Sequence, residues 1–277
     1  MRVRRECQCS VGLRDGRAFH RSASRDEASW RLRAGLRRLH QVVDQALVIT
    51  ELQVTGNPKC FSQCMRTLLH VGRRSPSVEA RTHCTNVLRA LYRNTNLDDA
   101  VAAYVGEGLL LALEGFEGST WQERNSSTLL FSALMVRIFG VTRGKDPDNL
   151  CTRNRMTGRI FFLRYPALAD YMGNKLAEAN DSDKLLRPSV YPVLLLLARL
   201  YPSALEGTVS NIKLVSFIPL VLSCAGSPVL KTRQLAARAM VPLISPHMYI
   251  SHVEAMLKLM NDRLIKKNYC HGVILQV

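Results

Sequence analysis

Seven basic side chains crowd between residues 137 and 164: Arg137, Arg143, Lys145, Arg153, Arg155, Arg159 and Arg164, against only Asp146 and Asp148. Guanidinium and ammonium groups at this density suit a polyanion, which they bind through phosphate contacts and counterion release. Asn154 and Thr157 add hydrogen-bonding groups, and Phe161, Phe162 and Tyr165 interleave aromatic rings. Such rings can stack on splayed bases. They can equally be core, because Phe161 and Tyr165 stand i,i+4 on one helix face. For the cations, the competing reading is a solvated face that touches nothing.

Reaction chemistry is otherwise missing from the pattern. Gly106-x-Gly108 lacks a third glycine at position 111 and falls in a helical stretch, so it is no dinucleotide fingerprint. There is no P-loop, no HExxH and no GxSxG. His83-Cys84 and Cys270-His271 are chain neighbours, which point about 100° apart on a helix and make no dyad. Asp98-Asp99 reads as helix N-terminal charge. The eight cysteines include no CxxC pair, and Cys60 and Cys64, at helical spacing, read as small buried apolar residues rather than a metal site. A binding module or scaffold is therefore expected, not an enzyme, with no cofactor of its own. No secretory signal opens the chain, which predicts reduced thiols and a cytoplasmic protein. Apolar runs such as Val193–Ala198 fall far short of the roughly 20 residues that span a bilayer.

The formal net charge of +16 is unevenly spread. Residues 1–40 hold eleven arginines and four acids, residues 41–136 are nearly neutral, and the 137–164 strip carries +5. The first 40 residues, rich in arginine and without a period, are expected to be a disordered basic segment. Residues 41–277 then form the folded domain.

The element that must position the strip is Trp121–Gly140. Two overlapping capping boxes open it, Ser119-x-x-Gln122 and Thr120-x-x-Glu123. After Asn125 it is apolar or small on nearly every face, so it is expected to be a buried central helix with a polar corner at its start. Helical patterns surround it: 36–54, 59–71, 75–93 with Ser75 as cap, 97–113, 156–164, 166–179, 188–201, 209–224, 228–244 and 249–261. Pro192, Pro219 and Pro242 predict helix starts or kinks. No stretch alternates with period two, so no sheet is expected.

Three helix starts share a plan of cap, arginine, two small residues and two apolar ones, built on Ser75 with Arg81, Ser119 with Arg124, and Ser227 with Arg233. Arg81 and Arg124 are 43 positions apart, the period of HEAT and armadillo repeats. The expected class is thus all-α, an irregular HEAT/armadillo-like helical-repeat solenoid, with a closed helical bundle as the alternative. The final run, Gly272–Val277, is apolar and uncapped, which predicts truncation of a longer protein.

Specific runs carry a resemblance. Arg124-Asn-Ser-Ser-Thr-Leu-Leu-Phe-Ser-Ala-Leu134, Arg137-Ile-Phe-Gly140 and Asn154-Arg-Met-Thr-Gly-Arg159 resemble the THADA family and its DUF2428 region. Asn86–Arg93, Ser227–Val229, Ala236–Pro242 and His271-Gly272 support it, over about residues 77–277. The resemblance implies a non-catalytic helical scaffold. It would bind tRNA and an FtsJ-type methyltransferase to direct 2′-O-methylation of nucleotide 32 in the anticodon loop. S-adenosylmethionine would belong to the partner enzyme. On that reading Arg137, Arg143, Lys145, Arg153, Arg155, Arg159 and Arg164 are candidates for RNA contact. Arg124, Asn125, Ser126, Ser127, Asn154, Thr157 and Gly158 are structural members of the motif. The family's Arg-Arg-Ser-Ala-Gly-(Ile/Leu)-Pro stretch is matched only by His20–Ser24, without its glycine and proline. The alternative function is a protein-interaction solenoid with an incidental basic face.

Overall fold

The computed structural model describes residues 41–51, 58–140, 156–179, 188–202, 212–260 and 266–276. Contacts divide the chain into units 1–45 and 46–277. The helices named below all belong to the second. The expected disordered segment 1–40 and the whole of the 142–154 loop lie outside the described residues.

Helix α1 (Pro58–Arg74) packs on α2 (Val78–Arg93), and, after the short α3 (Asp98–Ala102), α4 (Val105–Gly115) packs on α5 (Trp121–Phe139). The two pairs stack in register: α1 meets α4 and α2 meets α5. Two layers of helices result, as a solenoid requires. The short α6 (Gly158–Arg164) leads into α7 (Pro166–Glu178), which packs on α4 and on α8 (Val190–Leu197). Beyond a four-residue turn of helix, α9 (Ile212–Val215), come α10 (Phe217–Ser223) and α11 (Leu230–Met240). Here α7 meets α10 and α8 meets α11, repeating the two-layer plan. The last helices are α12 (Tyr249–Met260) and α13 (Lys267–Ile274). Among the described residues the only extended pairing is one isolated bridge, Thr157 with Tyr201. The helical-repeat class read from the sequence is what the chain forms.

The central helix is α5. Thr120 is its cap: its hydroxyl accepts from the Glu123 N–H at 3.3 Å, and the Glu123 carboxylate accepts from the Thr120 N–H at 3.3 Å. Only this second of the two overlapping boxes forms, and the Ser119 hydroxyl donates to the same carboxylate at 3.1 Å. Leu130 and Leu134 are fully buried between α2 and α4, while Val136 stays half in solvent. Gly140 ends the helix at φ 73°, a left-handed conformation that a β-carbon disfavours.

The shared plan of the three helix starts has a structural meaning. Arg81 donates through Nη1 to the Ser75 carbonyl at 2.5 Å, Arg124 to the Gly118 carbonyl at 2.8 Å, and Arg233 to the Ser227 carbonyl at 2.6 Å. In each case the guanidinium folds back six residues and clasps the turn that enters its own helix.

Several boundaries differ from expectation. Ser77, not Ser75, caps α2, accepting from the Ala80 N–H at 3.3 Å, so Pro76 precedes the cap rather than opening the helix. The pattern at 97–113 splits into α3 and α4 at Tyr104, whose carbonyl accepts from the Tyr92 hydroxyl at 2.7 Å. Pro192 lies in the first turn of α8, Pro219 in that of α10, and Pro242 in the 3-10 turn ending α11. Helix α13 was not expected. Its Gly272 packs so closely on Ala225 that a β-carbon there would sit 2.8 Å from the Ala225 Cα. Cys60 is exposed and Cys64 half-buried, so this pair does not fill the core as expected. Among the described residues no group of three His, Cys, Asp or Glu could hold a metal ion.

Candidate nucleic-acid interface

The aromatics of the strip settle one open question. Phe139, Phe161, Phe162, Tyr165 and Phe217 are all buried. Phe161 stacks on Phe139 at 6.3 Å and meets Phe162 and Tyr165 edge-on at 5.1 and 5.3 Å, and Phe162 stacks on Phe217 at 5.5 Å. These rings hold α5, α6 and α10 together and present no free face to a base.

The basic residues separate into three groups. Arg143, Lys145, Arg153 and Arg155, with Asn154, lie outside the described residues. Arg159 is half-buried and Arg164 exposed, both on α6, whose N-terminus is capped by the Thr157 hydroxyl (3.4 Å from the Ile160 N–H) and whose buried Gly158 packs on Leu214. Arg137 stands apart. Its Nε and Nη2 donate to the carbonyls of Tyr92 and Asn94 at 2.9 and 2.8 Å, and its Nη1 pairs with Asp98. Those carbonyls end α2, so Arg137 is a clamp between α5 and the C-terminal end of α2. Burial pulls its pKa down from the ordinary arginine value, and the nearby Tyr92 opposes this. Three of its N–H groups are thus engaged by α2 and by Asp98, and Arg137 ties α5 to its neighbour.

The polar corner of α5 is a structural joint. Glu123 is buried and accepts from the Arg81 Nε at 2.7 Å, with a second contact from the Arg81 Nη2. Burial alone would push the Glu123 carboxyl up. Hydrogen bonds from Arg81, the Thr120 N–H and Ser119 outweigh it and hold the pKa below the usual carboxylate range. A group lowered in this way stabilises the fold above its unfolded pKa of about 4.3 and loses that contribution as the pH falls through the folded value. Denaturant midpoints should therefore drop on acidification below about pH 4.5, and Glu123→Gln should flatten that drop while lowering the midpoint at neutral pH. Ser126 and Ser127 are buried beside Glu123, the Ser126 hydroxyl donating to the Glu123 carbonyl at 3.0 Å. Asn125, a member of the same motif, is exposed.

Between α2 and α5 lies an open cleft of about 600 Å³, with Arg89, Arg93 and Arg137 among its lining residues. Arg89 and Arg93 were not singled out by sequence reasoning. Their signal was available: two arginines at i,i+4 within the Asn86–Arg93 run that supports the family resemblance. A second basic cluster closes the other end of the unit. Arg233 clasps Ser227 and donates through Nε to the His271 Nδ1 at 3.3 Å, joining α11 to α13.

With this geometry in view, the comparisons with known proteins are specific. A family model described as THADA/TRM732, DUF2428 matches residues 42–122, and one described as Trm732, C-terminal TPR repeats matches residues 124–277. The chain belongs to the THADA/Trm732 family. The second model covers the α5 motif and everything after it. Its description, TPR repeats, names a class of stacked helical hairpins, as HEAT and armadillo repeats also are. The chain is 37% identical over 245 residues to the human tRNA (32-2′-O)-methyltransferase regulator THADA, an alignment covering 84% of this chain and 12% of that protein. It is 40% identical over 245 residues to the Gallus gallus protein of the same name, covering 84% and 12%. To the Schizosaccharomyces pombe regulator trm732 it is 28% identical over 249 residues, covering 83% and 16%. These relatives are named as regulators of a methyltransferase, not as the methyltransferase. The chain spans 11–16% of the length of the curated relatives it matches. No solved structure matches it.

Among the described residues no helix is long and apolar enough to cross a membrane.

Proposed function

We propose that this THADA/Trm732 chain is a non-catalytic helical scaffold that binds tRNA and an FtsJ-type methyltransferase, directing 2′-O-methylation of nucleotide 32 in the anticodon loop. The observation that carries the reading is the match to regulators of that methylation over most of the chain. The enzyme brings S-adenosylmethionine and the transfer step; the scaffold grips phosphates and presents one loop. Residues 41–277 act as the repeat domain and residues 1–40 as a basic extension, in the cytoplasm. Arg143, Lys145, Arg153, Arg155, Arg159 and Arg164 make the phosphate contacts, while Arg137 braces α5 against α2.

The test is the affinity of the chain for an anticodon stem-loop RNA, measured by fluorescence anisotropy across a salt series. Log affinity should fall steeply and linearly with log salt, each phosphate contact adding about 0.9 to the slope. Arg153→Glu, Arg155→Glu and Arg159→Glu together should weaken binding on the order of 100-fold or more. Affinity indifferent to salt and to those reversals would remove the RNA reading. The alternative would then stand, a protein-interaction solenoid. Some support for protein contact exists in α12, where Ile250 and Leu257 are exposed and Met256 is buried.

A further inference from the structure

The cleft between α2 and α5 holds two arginines that the fold itself does not use. Arg89 and Arg93 stand one helical turn apart, and among the described residues no carboxylate pairs with either. The acid among the cleft's lining residues, Asp98, is engaged by Arg137. Helix C-termini ordinarily repel anions through their unpaired carbonyls. Here the Tyr92 and Asn94 carbonyls are covered by the Arg137 guanidinium, whose charge Asp98 balances, so the positive excess in the cleft is that of Arg89 and Arg93.

The opposite wall is contributed by α5, where Ser132 is exposed and Ala133 and Val136 leave the space open. A volume of about 600 Å³ is within the range of ligand clefts. Arg89 is half-buried and Arg93 exposed, and burial, then the charge of Arg93, lower the Arg89 pKa from the ordinary arginine value, so the two like charges lie close together. A bound anion would relieve that repulsion.

From these observations we infer that the α2–α5 cleft is a phosphate seat additional to the 143–164 cations, in which Arg89 and Arg93 hold the sugar–phosphate backbone of RNA. The inference rests on the RNA reading above and adds a site to it. Arg137 is a positioning residue there, because it covers the α2 carbonyls and engages Asp98 at the cleft end.

The experiment compares the full chain with its Arg89→Ala/Arg93→Ala variant, using a labelled anticodon stem-loop RNA and, separately, a labelled polyglutamate peptide. Circular dichroism first checks that the variant keeps its helices. Loss of about 2 from the log–log salt slope for RNA is the expected result. If the unaltered chain binds RNA and the variant binds it with the same slope, the second seat is overturned while the RNA reading survives. If neither protein binds RNA, both fall. If only the peptide binds and the variant loses it, the cleft takes an acidic protein segment and the RNA seat is overturned.

Discussion

Phe161→Ala is expected to destabilise the repeat domain by about 3–5 kcal/mol, the usual effect of deleting a buried phenylalanine. Phe161 is fully buried, and its ring touches Phe139 at the end of α5 and Phe162 and Tyr165 on its own side of the turn. Through Phe162 the cluster reaches Phe217 of α10. One ring thus lies at the meeting of the first stacked helices with the later ones, and its loss leaves a cavity that rigid helix ends cannot close. Urea denaturation should show the lowered midpoint. Phe161→Leu, which keeps most of the volume, should recover much of the loss. Equal and mild effects of both substitutions would mean that the aromatic cluster is not the joint described here.

That cluster shows how far the sequence could be read. The spacing of Phe161 and Tyr165 allowed either a stacking platform or a core, because period alone cannot say what lies opposite a helix face. Packing against Phe139 and Phe217 decides for core, and both partners are remote in sequence. The span, the Thr120 cap and the terminal glycine of the central helix were legible because they are local signals, whereas its exposed face, with Thr128, Ser132 and Val136, was not. The recurring arginine was legible too, although its purpose was not. A guanidinium that clasps the carbonyl six residues back is a local event, and for that reason it left a repeating mark in the sequence.

Long-range pairing left no such mark. Arg81 reaches Glu123 across 42 residues, and Arg137 reaches Tyr92 across 45. Counting charges placed Arg137 in the basic strip and gave no sign that it ties α5 to the end of α2. Helix α13 escaped notice because eight residues with a glycine inside give too short a period to recognise. What secures it is the close approach of Gly272 to Ala225 and the Arg233–His271 contact, both tertiary.

The most direct test is reconstitution: this chain, a cognate FtsJ-type methyltransferase, S-adenosylmethionine and an unmodified tRNA, with ribose methylation mapped at nucleotide 32. The account predicts methylation that depends on the scaffold and that falls when Arg153, Arg155 and Arg159 become glutamate in a protein still helical by circular dichroism. Because the chain spans a small part of its relatives' length, a version extended at both ends with a relative's sequence is run beside it. In that version the same three substitutions should reduce methylation. Methylation absent with both versions, or present and indifferent to the three substitutions, would contradict the account.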